Sequence, residues 1–182
     1  MPKDDIRPRI IRLGEPLVSI YPNTGCMVDC RGTITFRGKC IIGNNSFISV
    51  GKSGNIEFGK DFVCYSSIKM ACYNSIKFGN RVLVGWDCLF MDTDFHSLTR
   101  ADGSKTKGYS SIIIGNEVWL GCGCKVFKRT FIPNLCVVAA NTLLTSKIEV
   151  PEKTVIGNDN KICVKKQGIY RDYTNDKVLY SN

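Results

Sequence analysis

The chain has 182 residues, 43% of them hydrophobic and 23% charged, with a formal net charge of +9. That balance suits one folded domain and argues against a disordered chain. No apolar run approaches the ~20 residues of a bilayer span, and no apolar stretch follows Met1-Pro2-Lys3-Asp4-Asp5 as a secretory signal requires, so a cytoplasmic protein without integral membrane association is expected.

Residues 1–31 carry no repeat and are expected to cap one end of the domain. A period of six begins at Ile42 and Ile48. Phe58, Cys64 and Met70 keep that step four residues out of phase, and Phe78, Val84 and Phe90 return to it. Insertions of four and two residues at corners account for the shift and its recovery. From Ile114 the step runs through Leu120, Val126, Ile132, Val138, Leu144, Val150, Ile156 and Ile162, all Ile, Leu or Val.

The residue after each anchor is usually small or proline, as at Gly43, Gly85, Gly121, Pro133 and Ala139. Four residues after the anchor slim side chains recur, as at Ser46, Cys88, Cys124 and Thr142. Neither a 3.6-residue helix nor a plain two-residue strand gives this pattern. Short strands joined by tight corners do, with the anchor pointing inward and the glycine relieving strain where the chain turns. Ile114-Gly-Asn, Ile132-Pro-Asn and Val150-Pro-Glu are 18 residues apart, which is three strands per turn. The predicted fold is all-β: a parallel β-helix of hexapeptide repeats over 32–166.

Ten cysteines would suit a disulfide scaffold in a secreted chain, but Cys26-x3-Cys30 and Cys122-Gly-Cys124 have no second pair at zinc-site spacing, and there is one histidine. The cysteines are expected to be reduced, small core residues, and no metal is expected. The lysines and arginines are scattered, with no motif of nucleic-acid recognition beside them, so no nucleic-acid partner is expected.

One turn is too long. The anchor after Phe78 by a full turn falls at residue 96, yet it comes at Ile114. The segment 99–109 holds no Ile, Leu or Val, so a loop over about 92–110 must project from the prism. At its root stands Met91-Asp92-Thr93-Asp94-Phe95-His96. A histidine titrates near neutrality and acts as a general base when a neighbour holds its tautomer. Asp92 or Asp94 is placed in the sequence to be that neighbour. A polar loop with an incidental histidine is the plainer alternative.

Phe90-Met-Asp-Thr-Asp-Phe-His-Ser97, followed by Ile112-Ile-Ile-Gly-Asn-Glu-Val-Trp-Leu-Gly-Cys-Gly-Cys124, resembles the left-handed β-helix acetyltransferases, in the subgroup of maltose, galactoside and capsule O-acetyltransferases. The resemblance covers about 32–166 and implies a left-handed coil, an acetyl-CoA co-substrate, a sugar or glycan acceptor and a homotrimer. It implies His96 as the base that deprotonates the acceptor hydroxyl, with Asp94 or Asp92 behind it. Trp119, Cys122, Ala140, Thr145, Lys161 and Lys165 match the CoA side, and Ser67 and Trp86 the acceptor side. Departures are visible: Ala139-Ala140-Asn141-Thr142 stands for the usual Gly-Ala-Gly-Ser, and Gly157-Asn-Asp-Asn-Lys161 for Gly-Asn-Pro-Ala-Lys. They leave open a non-catalytic β-helix assembly or binding module with a degenerate CoA site. A γ-type carbonic anhydrase shares the prism but needs three histidines. The tail 167–182, with Tyr170, Tyr173 and Tyr180, leaves the repeat and is expected to cap the last coil.

Overall fold

The computed structural model describes residues 7–159, 161–168, 171 and 174. Its strands build the three faces of a left-handed parallel β-helix. The first face holds Ile11–Glu15, Cys40–Gly43, Phe62–Cys64, Leu83–Val84, Trp119–Leu120, Val137–Val138, Thr154–Asp159 and Lys161–Gln167. The second runs from Cys26–Cys30 through Ser46–Val50, Lys69–Cys72, Leu89–Met91 and Lys125–Phe127 to Leu143–Leu144. The third holds Thr33–Phe36, Asn55–Phe58, Ser75–Phe78, Ile112–Ile114 and Phe131–Ile132.

The six-residue anchors fall in three inward columns. Ile42, Cys64, Val84, Leu120, Val138 and Ile156 stack on the first face. Ile48, Met70, Phe90, Val126 and Leu144 stack on the second. Phe36, Phe58, Phe78, Ile114 and Ile132 stack on the third. Apart from Phe36, which is half-buried, these residues are all buried, and so are the slim residues two positions before them, among them Ser46, Cys88, Cys124, Cys136 and Thr142. Phenylalanines fill the early coils, where Phe36, Phe58 and Phe78 stack at 5.4 Å between ring centroids. Aliphatics, cysteine and threonine fill the late ones. Burial pushes the Cys40 thiol up to about 12, and all ten cysteines are free.

Both inserted corners are present, at Gly51–Gly54 and around Tyr73–Asn74. The glycines after the anchors have a different cause from the one expected. They do not adopt a left-handed φ; a Cβ on Gly85 would stand 2.6 Å from the Cys122 nitrogen, and one on Gly121 2.7 Å from the Ala140 nitrogen. Close approach of the next coil excludes a side chain there. The left-handed residue is the third after the anchor, as at Asn45, Asp61, Arg81, Glu117, Leu135 and Asn141, all with φ between 56° and 60°. A repeated corner therefore forces even leucine into a conformation that non-glycine residues seldom adopt.

The ends also differ from the plain repeat. Strands Ile11–Glu15 and Cys26–Cys30 extend the first two faces ahead of residue 32. On the last coil Lys147 bridges Phe131 and Ile148 is buried, while Val150 is only half-buried. Ile162 is not a coil anchor: Lys161–Gln167 turns back antiparallel on Thr154–Asp159. This hairpin occupies the open edge of the first face. Of the tail, Tyr170, Tyr173 and Tyr180 lie outside the described residues.

Candidate active site

The loop leaves the second face after Met91 and rejoins the third at Ile112. It is a hairpin in its own right. Thr93 bridges Tyr109 and Thr99 bridges Lys105, both antiparallel. The Asp94 N–H donates to Gly108 O at 2.7 Å and the Ser110 N–H to Asp92 O at 3.0 Å. A turn at Arg100–Gly103 closes the tip.

The two aspartates are used differently from the expectation. Asp92 is fully buried, and its carboxylate accepts the Tyr73 and Asn74 N–H groups, each at 2.8 Å. Those amides belong to the inserted corner of the preceding coil. Asp92 is therefore a fastening between coils, held by those amides and the Cys72 thiol rather than against His96. Asp94 is half-exposed, and its Oδ2 lies 2.9 Å from Lys128 Nζ. Neither carboxylate hydrogen-bonds His96 among the described residues.

His96 is exposed on the ascending limb of the hairpin. Its neighbour Phe95 holds it there. Phe95 has φ +61°, its N–H donates to Thr93 Oγ1 at 3.0 Å, and its ring meets Tyr73 edge-on at 5.0 Å. Gly108 on the opposite limb packs against the His96 carbonyl, which a Cβ would approach to 2.5 Å. Phe95, Tyr73, Gly108 and Lys128 brace the hairpin through contacts that the sequence reading missed. The two-residue insertion at Tyr73 was visible, but its contact with the loop was not.

At the foot of the hairpin lies a cleft of about 260 Å³ lined by Met91, Asp94, Phe127, Lys128, Arg129 and Thr145. Met91, Phe127 and Thr145 are equivalent positions on three successive coils, each following its anchor. Thr145 is thus brought to the loop root. Cys122 and Ala140 are not. They occupy the other edge of the second face, one coil apart, in the same column as Trp86. The Gly123 N–H donates to Trp86 O at 2.9 Å and the Asn141 N–H to Cys122 O at 2.8 Å. Ser67 sits beside that column, half-buried, one coil before Asp87. Trp119 projects from the first face between Leu83 and Val137, 41% exposed, so it does not cap the prism. Lys161 and Lys165 stand on the returning strand, and their side chains lie outside the described residues. Among the described residues no group of three or more His, Cys, Asp or Glu is placed to hold a metal ion.

The segment before the first complete coil crosses the Trp86 edge. Tyr21 donates its phenolic hydrogen to Asp87, and Asn44 Nδ2 donates to Pro22 O at 2.9 Å. Desolvation, then the Asp87 carboxylate, push the Tyr21 hydroxyl up to about 12.

No family model matches the chain. It is 26% identical over 150 residues to WbbJ of Escherichia coli K12, named as a candidate lipopolysaccharide-biosynthesis O-acetyl transferase, over 78% of this chain and 76% of that one. The chain is thus similar to a named O-acetyl transferase. In fold it is similar to the crystal structure of the polySia-specific acetyltransferase NeuO, with a TM-score of 0.55 at 17% identity over 84% of this chain and 74% of that one. The β-helix read from the hexapeptides thus agrees with the NeuO fold, and the acetyltransferase resemblance with the name of WbbJ.

Proposed function

We propose that the chain transfers an acetyl group from acetyl-CoA to a hydroxyl of a sugar or glycan, in the cytoplasm, as a homotrimer. The observation that carries this reading is the braced hairpin that bears the only histidine of the chain and has at its root a cleft reaching the late coils. WbbJ is named for lipopolysaccharide biosynthesis and NeuO as polySia-specific, which supports a glycan acceptor.

In this reading His96 takes the proton of the acceptor hydroxyl as its oxygen attacks the thioester carbonyl. The tetrahedral oxyanion collapses, the carbon–sulfur bond breaks, and the imidazolium returns the proton to the departing thiolate. A thioester is already activated, so positioning, one base and oxyanion donors suffice. Lys128 holds the Asp94 carboxylate at the root of the hairpin that carries His96.

A single prism places His96 and the strip of Trp86, Cys122 and Ala140 on opposite edges of one face. The small Cys122 and Ala140 leave room along that edge for an extended pantetheine arm. A three-fold assembly lays the histidine edge of one chain against the small-residue edge of the next, and the site is complete only there. Thr145 and Trp119 flank the same groove, and Lys161 and Lys165 serve the CoA phosphates.

The test is release of free CoA from acetyl-CoA with a panel of neutral and acidic glycans, beside calorimetric titration of acetyl-CoA. Acceptor-dependent release is expected. No heat and no release at millimolar acetyl-CoA, with the coil intact by circular dichroism, assigns the chain to the non-catalytic module instead.

A further inference from the structure

The edge between the third and first faces carries a side-chain ladder. Gly38, Lys60, Asn80, Asn116 and Asn134 are equivalent residues of successive coils, each two positions after a third-face anchor. Asn80 Oδ1 accepts the Lys60 N–H, Asn116 Oδ1 the Asn80 N–H and Asn134 Oδ1 the Asn116 N–H, all at 2.8 Å. Each corner amide is closed by a carboxamide from the next coil.

The ladder stops at one rung. Closing the Gly38 N–H needs an acceptor at position 60, and Lys60 brings a donor. The Gly38 N–H therefore has no partner among the described residues. Around this open amide lies a cleft of about 420 Å³ lined by Arg7, Arg9, Arg37, Lys39 and Lys60. Arg37 is paired with Glu57 at 2.7 Å, and Asp61 adds one carboxylate to the lining. Arg7, Arg9, Lys39 and Lys60 have no ion pair among the described residues. Several uncompensated cations in a concave site focus a field that attracts anions. Among the described residues no aromatic side chain lines the cleft, so they offer a nucleic-acid base no stacking platform.

We infer that this cleft binds an oxyanion of an acidic glycan, a carboxylate or a phosphate ester. One anionic oxygen takes the place against the Gly38 N–H that an asparagine Oδ1 fills on the later coils. Lys39, Lys60 and Arg9 surround the group. The cleft lies on a different edge from the His96 hairpin and at earlier coils. It therefore holds a part of the acceptor remote from the hydroxyl that reacts. The choice of a glycan as the carrier rests on the acetyltransferase reading; the anion site rests on the broken ladder.

The experiment is a titration of the full chain, without acetyl-CoA, by oligogalacturonate, a phosphomannan oligosaccharide and neutral maltohexaose, followed by calorimetry and by the Gly38 amide resonance. One acidic oligosaccharide should bind and shift Gly38, and which one does distinguishes carboxylate from phosphate. Lys60→Asn restores the missing acceptor as well as removing a charge, and should weaken binding at least about ten-fold, the usual effect of losing a charge-assisted contact. Lys39→Ala, which leaves the amide open, should weaken it less. Equal binding of maltohexaose, no binding of either acidic oligosaccharide, or unchanged binding by Lys60→Asn overturns the inference. Acetyl transfer that persists without acidic binding sinks the anion site alone; acidic binding without transfer to any acceptor sinks the transferase reading alone.

Discussion

Lys128 Nζ lies 2.9 Å from the Asp94 carboxylate and so ties the root of the projecting hairpin to the coil that follows it. The pair is partly exposed, so its net contribution to stability is small, of the order of 1 kcal/mol or less. Its value is placement. Lys128→Met should lower kcat several-fold with little change in melting temperature, and Asp94→Asn should do the same. A melting loss as large as the activity loss would mean that the pair supports the fold instead.

His96→Ala should leave the coil intact, because the residue is exposed and packs no core. Turnover should fall by about 10²–10⁴, the usual share of a general base. Retention of more than about half of the activity at saturating substrate would remove His96 from the chemistry.

Gly108 separates positioning from chemistry. Gly108→Ala puts a Cβ against the His96 carbonyl, whereas Gly103 at the hairpin tip has nothing within 4 Å of such an atom. Gly108→Ala should cut kcat by about ten-fold or more through a displaced base, and Gly103→Ala should cost little activity. Equal effects would show that the hairpin tolerates movement.

Asp92 should behave as a structural residue. Asp92→Ala leaves the Tyr73 and Asn74 amides without their acceptor, at a cost of about 2–5 kcal/mol for two lost charge-assisted bonds. Chemical denaturation measures it. An Asp92→Ala protein of wild-type stability that has lost only activity would return Asp92 to the reaction.

Subunit mixing tests the groove between chains. His96→Ala and Cys122→Trp homotrimers should each be inactive. If each site takes its histidine from one chain and its small-residue strip from the next, random co-assembly in equal amounts restores about a quarter of the sites. No recovery after co-refolding, or a monomer in sedimentation with activity intact, would place the whole site within one chain.

The Tyr21–Asp87 contact gives an alkaline signature. The Tyr21 hydroxyl is raised from 10.0 to about 12 in the folded chain. Between those values the folded state holds a proton that the unfolded state has lost. The contribution to stability is therefore fully present below about pH 10 and is lost as pH rises toward about 12. Tyr21→Phe should flatten that part of the stability profile. An unchanged slope would mean that the hydroxyl is not held.

The sequence by itself determined the architecture, because a β-helix writes its period into the chain. Every turn must bury an anchor in the same column, so Ile114 to Leu144 repeat without a break, and the loop between Phe90 and Ile114 stands out as chain that cannot fill the prism. The histidine could be singled out for the same reason. What the sequence left undetermined are contacts between coils, where residues distant in sequence meet. Asp92 looked like a partner of His96 because the two are close along the chain, but its carboxylate faces the preceding coil's amides, more than one strand away. The glycines after the anchors looked like turn residues, yet the backbone of the next coil decides them, and the left-handed φ falls two residues later, on Asn141 or Leu135. The reversal at Lys161–Gln167 broke a periodicity that ran on to Ile162, since a repeat of apolar residues does not record the direction of its strand. Likewise the broken rung at Lys60 appears only when Gly38, Lys60 and Asn80 are stacked.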